Sequence, residues 1–480
     1  MSAVPTRPRL APGSLREAWL ALAGLSAVFL FEMLDNSLLN VALPTIGREL
    51  HATTTGLQWV TGAYSVVFGG LMLLFGAVAD RVGRRRVMLV GLVLLAVASL
   101  ATVFVTTTPE LIALRAVMGV AAAMTTPGSM ALAFRLFDTE DLRVRALTVI
   151  STAGLVGLAI GPTIGGLVLA VAPWQVLLLA NAPIALVAFV GIRTGIGADT
   201  AEGLHRAPID VAGAVLGTAT IAGALVTPTL AVDLGWSWQT WAVAAMTVAA
   251  AVAFVLCERS ARHPLLDLAL VARPLVTSGL AFKAGAGLAV AGLSYLVTLQ
   301  LQFGWGWSPA AAAVGMLPQV VVLLASGRFV GPFVQWVGLR RAAASSAAAV
   351  VLGLGVFAVA GHLGYGWVAV ALVLVAAGMR VVGVVAGNDV LRGLPADRTS
   401  MGAALVDTAS ELATGVGIAA SGAVLAAMVS GSIATTTAWT TARLAQFESG
   451  VQVAGVVLTL VAAALVTVGI VRSRQGQDAS

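Results

Sequence analysis

Fourteen apolar stretches, most of them about 20 residues or longer, divide this sequence and limit what it can fold into. A bilayer core about 30 Å thick needs about 20 helical residues to cross it, and its lack of water forces backbone polar groups to pair within the protein. Hydrophobic residues make up 59% of the chain and charged residues 10%, whereas soluble domains carry about 25% charged residues. We therefore predict an all-α polytopic membrane protein with fourteen transmembrane helices. The predicted spans are 18–42, 57–79, 87–106, 111–135, 146–171, 175–194, 209–230, 239–257, 275–303, 309–337, 342–361, 366–388, 399–430 and 450–471.

The distribution of basic residues supports this count, because cytoplasmic segments of membrane proteins are enriched in Lys and Arg. If the N-terminus is cytoplasmic, 21 of the 27 basic residues fall on the inner side, and Arg48 and Arg443 fall on the outer side. A missed or invented span would invert this pattern downstream, and no inversion occurs. Both termini are therefore predicted to be cytoplasmic, with a first span that is retained rather than cleaved as a signal peptide. The other basic residues lie within spans: Arg115, Lys283, Arg328 and Arg380.

Composition and spacing also exclude several classes of partner. The net charge of +6 does not indicate a nucleic-acid-binding protein, because the arginines lie in short segments between apolar stretches. Cys257 is the only cysteine, which excludes intrachain disulfides and a cysteine-based metal site. The four histidines lack the spacing of metal ligands, and no segment resembles a Walker loop. We therefore expect no metal, cofactor, nucleic acid or ATP, and a lipid bilayer around the apolar surface.

An internal repeat indicates how the spans are organised. Residues 76–86 and 331–341 both fit the pattern G-x6-G-x-R-R, although the second copy lacks the acidic residue. Eight spans separate the two copies, whereas two six-helix halves would separate them by six, so two helices are predicted to be inserted between parallel halves. The predicted organisation is a cytoplasmic tail (1–17), an N-terminal six-helix bundle (18–195), a linker with two additional transmembrane helices (196–273), a C-terminal six-helix bundle (274–471) and a cytoplasmic tail (472–480).

Several segments carry recognisable motifs. They are 34–44 in span 1, 76–86 after span 2, 115–119 in span 4, 157–166 in span 5, and 317–318 and 394–417 in the second half. Together these motifs resemble those of the major facilitator superfamily, in particular its fourteen-helix drug:proton antiporter group, over nearly the whole chain. The chain departs from the family pattern at Met118, where glutamine is frequent, and at Gln175, where arginine is frequent.

This resemblance implies the major facilitator fold, with two six-helix bundles plus two inserted helices, in the plasma membrane (the bacterial inner membrane). It also implies a proton-coupled efflux transporter, not an enzyme, that exports small-molecule substrates by alternating access in exchange for protons. Lipophilic drugs or metabolites, cationic ones included, are the expected substrates. An uptake symporter of the same fold is the main alternative. A membrane-embedded enzyme is a weaker one, because the loops are short and carry no catalytic cluster.

Two carboxylates in span 1 are the first candidates for proton coupling. Glu32 and Asp35 lie three residues apart and so on one helical face, and Asn36 and Asn40 continue a polar stripe. A charged carboxylate in mid-membrane costs about 3 kcal/mol on insertion scales, and burial favours its neutral form, so such a group can bind and release protons. Arg115 in span 4 is a candidate partner, and a proton arriving at the acid would break that pair. A static ion pair is the alternative.

Asp407 and Glu411 form a second candidate pair for proton coupling in span 13. They lie four residues apart, again on one helical face. We expect them to face a central cavity and to bind protons or a cation there. The alternative is a solvated pair near the inner mouth that contacts Arg392 or Arg398.

Two motifs are candidates for gating and helix packing. Charged contacts of the cytoplasmic loop can hold the two halves in one conformation, unless its arginines serve topology alone. Small residues at four-residue steps let helix backbones approach closely, and a proline can bend a helix, so we expect this face of span 5 between the halves. The residues concerned are Gly76, Asp80, Arg81, Gly83, Arg84 and Arg85 in the loop, and Gly157, Gly161, Pro162, Gly165 and Gly166 in span 5.

Polar and aromatic residues within the spans are the candidates for a substrate cavity, because aromatic faces and amides can bind a lipophilic or cationic molecule. No partner is predicted for Lys283 or Arg380. The cavity candidates are Asn36, Asn40, Tyr64, Phe68, Tyr295, Gln300 and Gln319.

Overall fold

A computed structural model of the chain describes residues 13–137, 139–199, 210–235, 237–261, 268–394, 399–429 and 440–478. These ranges are built from helices and contain no β-strand, which confirms the predicted all-α membrane protein. The N-terminal half contains α1 (Trp19–Glu49), α2 (Thr54–Val82), α3 (Arg84–Ala101), α4 (Thr108–Leu136), α5 (Glu140–Leu169), α6 (Gln175–Leu179) and α7 (Asn181–Gly195).

The remaining helices form an inserted segment and a C-terminal half. The inserted segment contains α8 (Val211–Asp233), α9 (Trp238–Ser260) and the short α10 (Leu268–Val271). The C-terminal half contains α11 (Pro274–Leu299), α12 (Pro309–Gly315), α13 (Leu317–Ala325), α14 (Gly327–Val337), α15 (Leu339–Ala360), α16 (Tyr365–Gly393), α17 (Thr399–Met428) and α18 (Thr441–Asp478). A π-helical turn, Gln300–Gly304, follows α11 directly.

Local sequence signals explain where several helices begin. Thr53 caps α2, because its hydroxyl oxygen accepts a hydrogen bond from the Gly56 backbone N–H at 2.9 Å. At α4 the Thr107 side chain and the Glu110 carboxylate each bind the other residue's backbone N–H, which makes a capping box. Ser308 caps α12, and a proline follows it at the first helical position, where no N–H is needed.

The two copies of the internal repeat adopt equivalent turns. Gly83 lies between α2 and α3 with φ +117°, and Gly338 lies between α14 and α15 with φ +85°. Residues with a Cβ rarely adopt such positive φ values, so glycine is needed at both turns. The repeat found in the sequence therefore corresponds to a repeated helix–turn–helix structure.

The described residues contain fewer candidate membrane spans than the sequence predicts. Within the described ranges, eleven helices are long and apolar enough to cross a membrane, or thirteen if two bent pairs each form one span. The bent pairs lie in α2, with a 49° bend, and across α13 and α14, with a 70° bend. The predicted span 209–230 corresponds to α8, whose apolar part, Val211–Ala224, is shorter. The count of fourteen therefore stays a prediction.

The helices pack into two halves that meet along two seams. In the N-terminal half α1 packs on α5 and α7, and α2 packs on α4. In the C-terminal half α11 packs on α16, α17 and α18. The halves meet where α2 packs on α17 and where α5 packs on α12 and α13. Helix α8 packs on both α2 and α17, and α9 packs mainly on α8 with most of its apolar surface exposed. The inserted segment therefore covers one of the two seams between the halves.

The glycine-rich face of α5 packs inside the N-terminal half. A Cβ at Gly157 would lie 2.8 Å from the Leu30 carbonyl oxygen, and one at Gly161 would lie 2.6 Å from Ser37 Oγ. Both partners belong to α1, as does the nearest side chain to Gly165. The expectation that this whole face lies between the halves is therefore corrected, because backbone contact with α1 uses these three positions. Gly166 alone of the four glycines packs on α12 in the other half.

Replacing Gly161 with valine should loosen the contact between α1 and α5, because the added methyl groups have no room beside Ser37. Overpacking of this kind costs about 1–3 kcal/mol, so we expect a lower unfolding temperature in purified protein. Gly62→Ala on α2 is the control, since a Cβ there meets nothing within 4 Å. Equal stability of Gly161→Val and wild type would contradict the packing described.

Candidate functional site

Asp35, midway along α1, is fully buried, and each of its carboxylate oxygens has its own partner. Arg115 Nη1 of α4 donates to Oδ2 at 2.5 Å, and Asn181 Nδ2 at the start of α7 donates to Oδ1 at 2.6 Å. Hydrogen bonds to ionised groups are the strongest that side chains make. The Asp35 carboxylate therefore holds three helices of the N-terminal half together.

Arg115 has further neighbours on α2. Its Nε donates to the Val60 carbonyl oxygen at 3.3 Å, and its guanidinium carbon lies 4.5 Å from the centre of the Tyr64 ring. An aromatic face attracts a cation, and it does so more strongly away from water. The Phe68 ring lies against Tyr64, with ring centres 5.6 Å apart. We name Asp35, Arg115, Asn181 and Tyr64 the buried charge cluster.

Glu32 lies one turn before Asp35 and is also buried. Thr126 Oγ1 of α4 donates to Glu32 Oε2 at 2.8 Å. Both acids of span 1 therefore face α4, as their three-residue spacing predicts. Arg115 of α4 pairs with Asp35, whereas Glu32 accepts a hydrogen bond from the Thr126 hydroxyl group, which also belongs to α4.

A cavity of about 110 Å³ lies where the two halves meet. Helices α1 and α5 line it on one side, and α11, α13, α16 and α17 line it on the other. Much of the lining is apolar, with methionine, leucine and valine side chains. The expected cavity residues Asn40 and Gln319 both lie in this lining, together with Pro162 of the α5 motif.

Four other cavity candidates lie elsewhere. Tyr64 and Phe68 surround Arg115, and Tyr295 is buried in the apolar core. Gln300 Nε2 donates to the Gly361 carbonyl oxygen at 2.9 Å and so binds within the C-terminal half. None of these four side chains lies in the described lining of this cavity, so their role in substrate binding stays a prediction. Spans that are apolar on most faces do not show which face meets a cavity. The side chain of the fifth, Asn36, lies outside the described part of the structure.

The cavity also carries charge from the C-terminal half. Glu411 of α17 lines it and is 5% exposed, and Lys283 of α11 lines it as well. The side chain of Asp407 lies outside the described residues. Glu411 therefore lies in the described lining of this cavity, whereas Asp35 and Glu32 do not, and the part of each in proton coupling stays a prediction.

The described contacts of the cytoplasmic loop motif lie within the N-terminal half and with Asp199 just after it, whose Oδ2 accepts a hydrogen bond from the Arg86 backbone N–H at 3.3 Å. Asp80 and Arg84 form an ion pair with 2.6 Å between Oδ1 and Nε, and Arg85 Nη2 donates to the Arg193 carbonyl oxygen at 2.7 Å. Both members of the ion pair are partly exposed, so the pair adds little to stability. Gly76 lies within α2, and the Arg81 side chain is exposed. A role of this loop in gating stays a prediction.

Arg380, the other cation with no predicted partner, lies half-buried on α16. It packs against α14 at Gly327, where an added Cβ would lie 2.8 Å from Arg380 Nη2. The glycine therefore leaves space for the guanidinium group.

Sequence reasoning missed two buried polar side chains. Asn181 completes the buried charge cluster, and Asp389 of α16 is 2% exposed and accepts a hydrogen bond from Ser278 Oγ at 3.2 Å. Asn181 interrupts a long apolar run, and a polar group inside a span is itself a signal of a specific contact. That signal could have identified Asn181, although not its partner, whereas Asp389 follows the predicted span 366–388 and carried no such signal.

Comparison with known proteins places this geometry in a family of transporters. The family model described as Major Facilitator Superfamily matches residues 25–202. The methyl viologen resistance protein SmvA of Salmonella typhimurium is 30% identical over 86% of this chain and 84% of its own length. The multidrug efflux pump LfrA of Mycolicibacterium smegmatis is 27% identical over 85% and 81%, and the cephamycin export protein CmcT of Amycolatopsis lactamdurans is 32% identical over 69% and 67%.

A solved structure supports the fold independently. The inward-facing, unoccupied structure of a bacterial homologue of the human lysosomal transporter Spinster superposes with a TM-score of 0.66. The match covers 97% of this chain and 99% of that one, at 14% sequence identity. The fold is thus that of a polytopic membrane transporter. The chain belongs to the major facilitator superfamily.

Arg115→Gln should destabilise the protein strongly, because it leaves the Asp35 carboxylate buried without its cation. Breaking one partner of a buried pair costs about 3–5 kcal/mol. The double variant Asp35→Asn with Arg115→Gln should recover at least half of that loss, since no unpaired charge remains. Unfolding of purified Arg115→Gln, Asp35→Asn and the double variant measures both effects. Additive losses in the double variant would show that the pair is not what holds these helices.

Proposed function

We propose that this protein is a proton-coupled antiporter that exports lipophilic small molecules, drugs or metabolites, across the plasma membrane by alternating access. The observation that carries the proposal is the buried charge cluster, in which a carboxylate with a single cationic partner lies one helix away from the central cavity. The names of the relatives, a resistance protein, an efflux pump and an export protein, support export over uptake.

A proton on Asp35 changes how the N-terminal half is held together. Neutral Asp35 no longer attracts Arg115 as a charge, whereas Arg115 retains the Val60 carbonyl and the Tyr64 ring on α2. Protonation therefore weakens the connection of α1 to α4 and leaves the connection of α4 to α2 in place. The strength of the contact between α1 and α4 therefore depends on the charge of Asp35.

Helix α1 carries that change to the cavity. Ser37 and Asn40 lie one to two turns beyond Asp35 on α1 and line the cavity, and Ser37 Oγ also donates to the Leu158 carbonyl oxygen of α5 at 3.0 Å. A small movement of α1 thus alters the cavity wall and its contact with α5. Glu411 faces the same cavity from the other half and is the second proposed site for a proton or a cation.

Contacts between the halves close one end of the bundle. Gln58 Nε2 donates to the Ala419 carbonyl oxygen at 2.5 Å, and Gln302 Nε2 donates to the Val41 carbonyl oxygen at 3.1 Å. Gly166 of α5 packs on α12 near the same end. With a cytoplasmic N-terminus this end is extracellular, so we assign the structure to a state closed towards the outside. Export requires these contacts to break while the cytoplasmic ends come together.

Everted membrane vesicles test the exchange of substrate for protons. The vesicle interior is acidified by respiration and the pH gradient is followed with a quenched fluorescent amine, after which puromycin or methyl viologen is added as a probe. We expect the wild type to dissipate part of the gradient on addition of at least one probe. Asp35→Asn should lower the initial rate at least about tenfold, because a neutral amide cannot exchange a proton.

The matched control is Glu17→Gln, the same change of carboxyl to amide at an exposed position near α1. Immunoblots establish that all variants reach the membrane at equal levels. Normal exchange in Asp35→Asn would remove Asp35 from the proposal. If a probe added in the absence of a pH gradient acidifies the vesicle interior, the probe and a proton have entered together, which would instead favour the uptake symporter.

A further inference from the structure

Lys283 differs from every other basic residue of this chain. It is the only lysine in the sequence, and all the other basic residues counted with it are arginines. It lies within α11 in the membrane region, half-buried, and its side chain lines the central cavity. Topology does not explain this lysine, because the positive-inside preference acts on cytoplasmic segments and not on the middle of a span.

Within the described part of the chain, no hydrogen bond or ion pair is formed by the Lys283 ammonium group. Lys283 and Glu411 are the two ionisable side chains in the described lining of the cavity, and they come from the adjacent helices α11 and α17. The rest of the described lining mixes apolar side chains, such as Met33 and Leu158, with uncharged polar ones, such as Asn40 and Gln319. The cavity thus offers one cation and one carboxylate among uncharged side chains.

The chemistry of the ammonium group specifies the ligand group it can accept. Lysine presents a compact charge with three hydrogen-bond donors and no acceptor, so it binds acceptors and favours anionic ones. Charge interactions are stronger in apolar surroundings than in water. A molecule whose only charge is positive gains nothing from Lys283, whereas a carboxylate gains an ion pair with it. Glu411 offers the matching contact for an ammonium group on the same molecule.

We propose that Lys283 is the anion-recognition point of the cavity, and that the preferred substrates are lipophilic zwitterions whose carboxylate binds Lys283 while their amine binds Glu411. The inference rests on the proposed transport function and narrows its substrate class from lipophilic molecules in general. Because this inference concerns only ligand recognition by residues that line the cavity, binding measurements can test it without a transport assay.

A pair of isosteric probes tests the proposal. The zwitterion 3-(2-naphthyl)alanine and its amide share the naphthyl group and the amine and differ in carboxylate against carboxamide. The full-length protein in lipid nanodiscs is treated with formaldehyde and cyanoborohydride, which methylate lysine. Formaldehyde and cyanoborohydride also methylate the amine of the probe, so mass spectrometry gives the rate at Lys283 as a ratio to the rate at the N-terminal amine of the same sample, which cancels consumption of the reagent. We expect saturating naphthylalanine to slow methylation of Lys283 at least about fivefold, because an ion pair covers the ammonium group and holds its proton.

The amide should slow that methylation less than about twofold, since it offers Lys283 no charge. Equal protection by acid and amide would show that Lys283 is merely covered by bound ligand, and would overturn the proposal. Absence of protection by the acid would overturn it as well.

Variants at Lys283 provide a second, independent measurement. Displacement of radiolabelled naphthylalanine by unlabelled acid or amide gives the affinity of each compound for each variant. We expect Lys283→Gln to weaken binding of the acid about tenfold and to leave the amide within about twofold, whereas Lys283→Arg retains the preference for the acid. A tenfold change in affinity corresponds to about 1.4 kcal/mol. Equal weakening of both compounds would assign Lys283 a structural role instead.

The two proposals fail in distinguishable ways. If Lys283 recognises the acid while everted vesicles exchange neither naphthylalanine, puromycin nor methyl viologen for protons, the recognition site stands and antiport is wrong. If vesicles exchange puromycin or methyl viologen for protons while Lys283 makes no distinction between acid and amide, antiport stands and the assigned substrate class is wrong.

Discussion

The ion pair between Asp35 and Arg115 is the interaction on which the arrangement of the N-terminal half depends. Neither charge is exposed, and each would be costly in hydrocarbon without the other. Satisfying the pair fixes the positions of α1 and α4, and the additional contacts of Asn181 and Val60 extend the same requirement to α7 and α2. Four helices are thus positioned by one carboxylate and one guanidinium.

Helix α1 links this cluster to the cavity because different faces of the helix contact each of them. One face carries Glu32 and Asp35 towards α4, while Ser37 and Asn40 line the cavity. Glycines of α5 at four-residue steps allow the backbones of α1 and α5 to lie close together. Since α5 also packs on α12 and α13, the path from the buried charges to the second half runs through direct helix contacts.

The inserted segment occupies a position that the repeat in the sequence did not specify. Helix α8 packs on α2 and α17, and Thr218 Oγ1 donates to the Gly70 carbonyl oxygen at 2.6 Å. One seam between the halves is therefore covered by protein, whereas α5 and α12 form the other. Asymmetry between the two seams follows from the two extra helices, since the halves themselves repeat the same packing.

The sequence by itself determined the fold class and the family. Apolar length, basic residues and the repeated loop motif act locally along the chain, and a helix in lipid satisfies its own backbone, so these features can be read without knowing any partner. Polar residues inside spans pointed to a small part of the described cavity lining, namely Asn40, Gln319 and Glu411. The tertiary structure decided which acid binds Arg115, that Asn181 completes the cluster, and that Tyr64 faces a guanidinium instead of the cavity. Spans that are apolar on nearly every face lack the periodicity that would orient them. Rotation of each helix is set only when its few polar groups find one another.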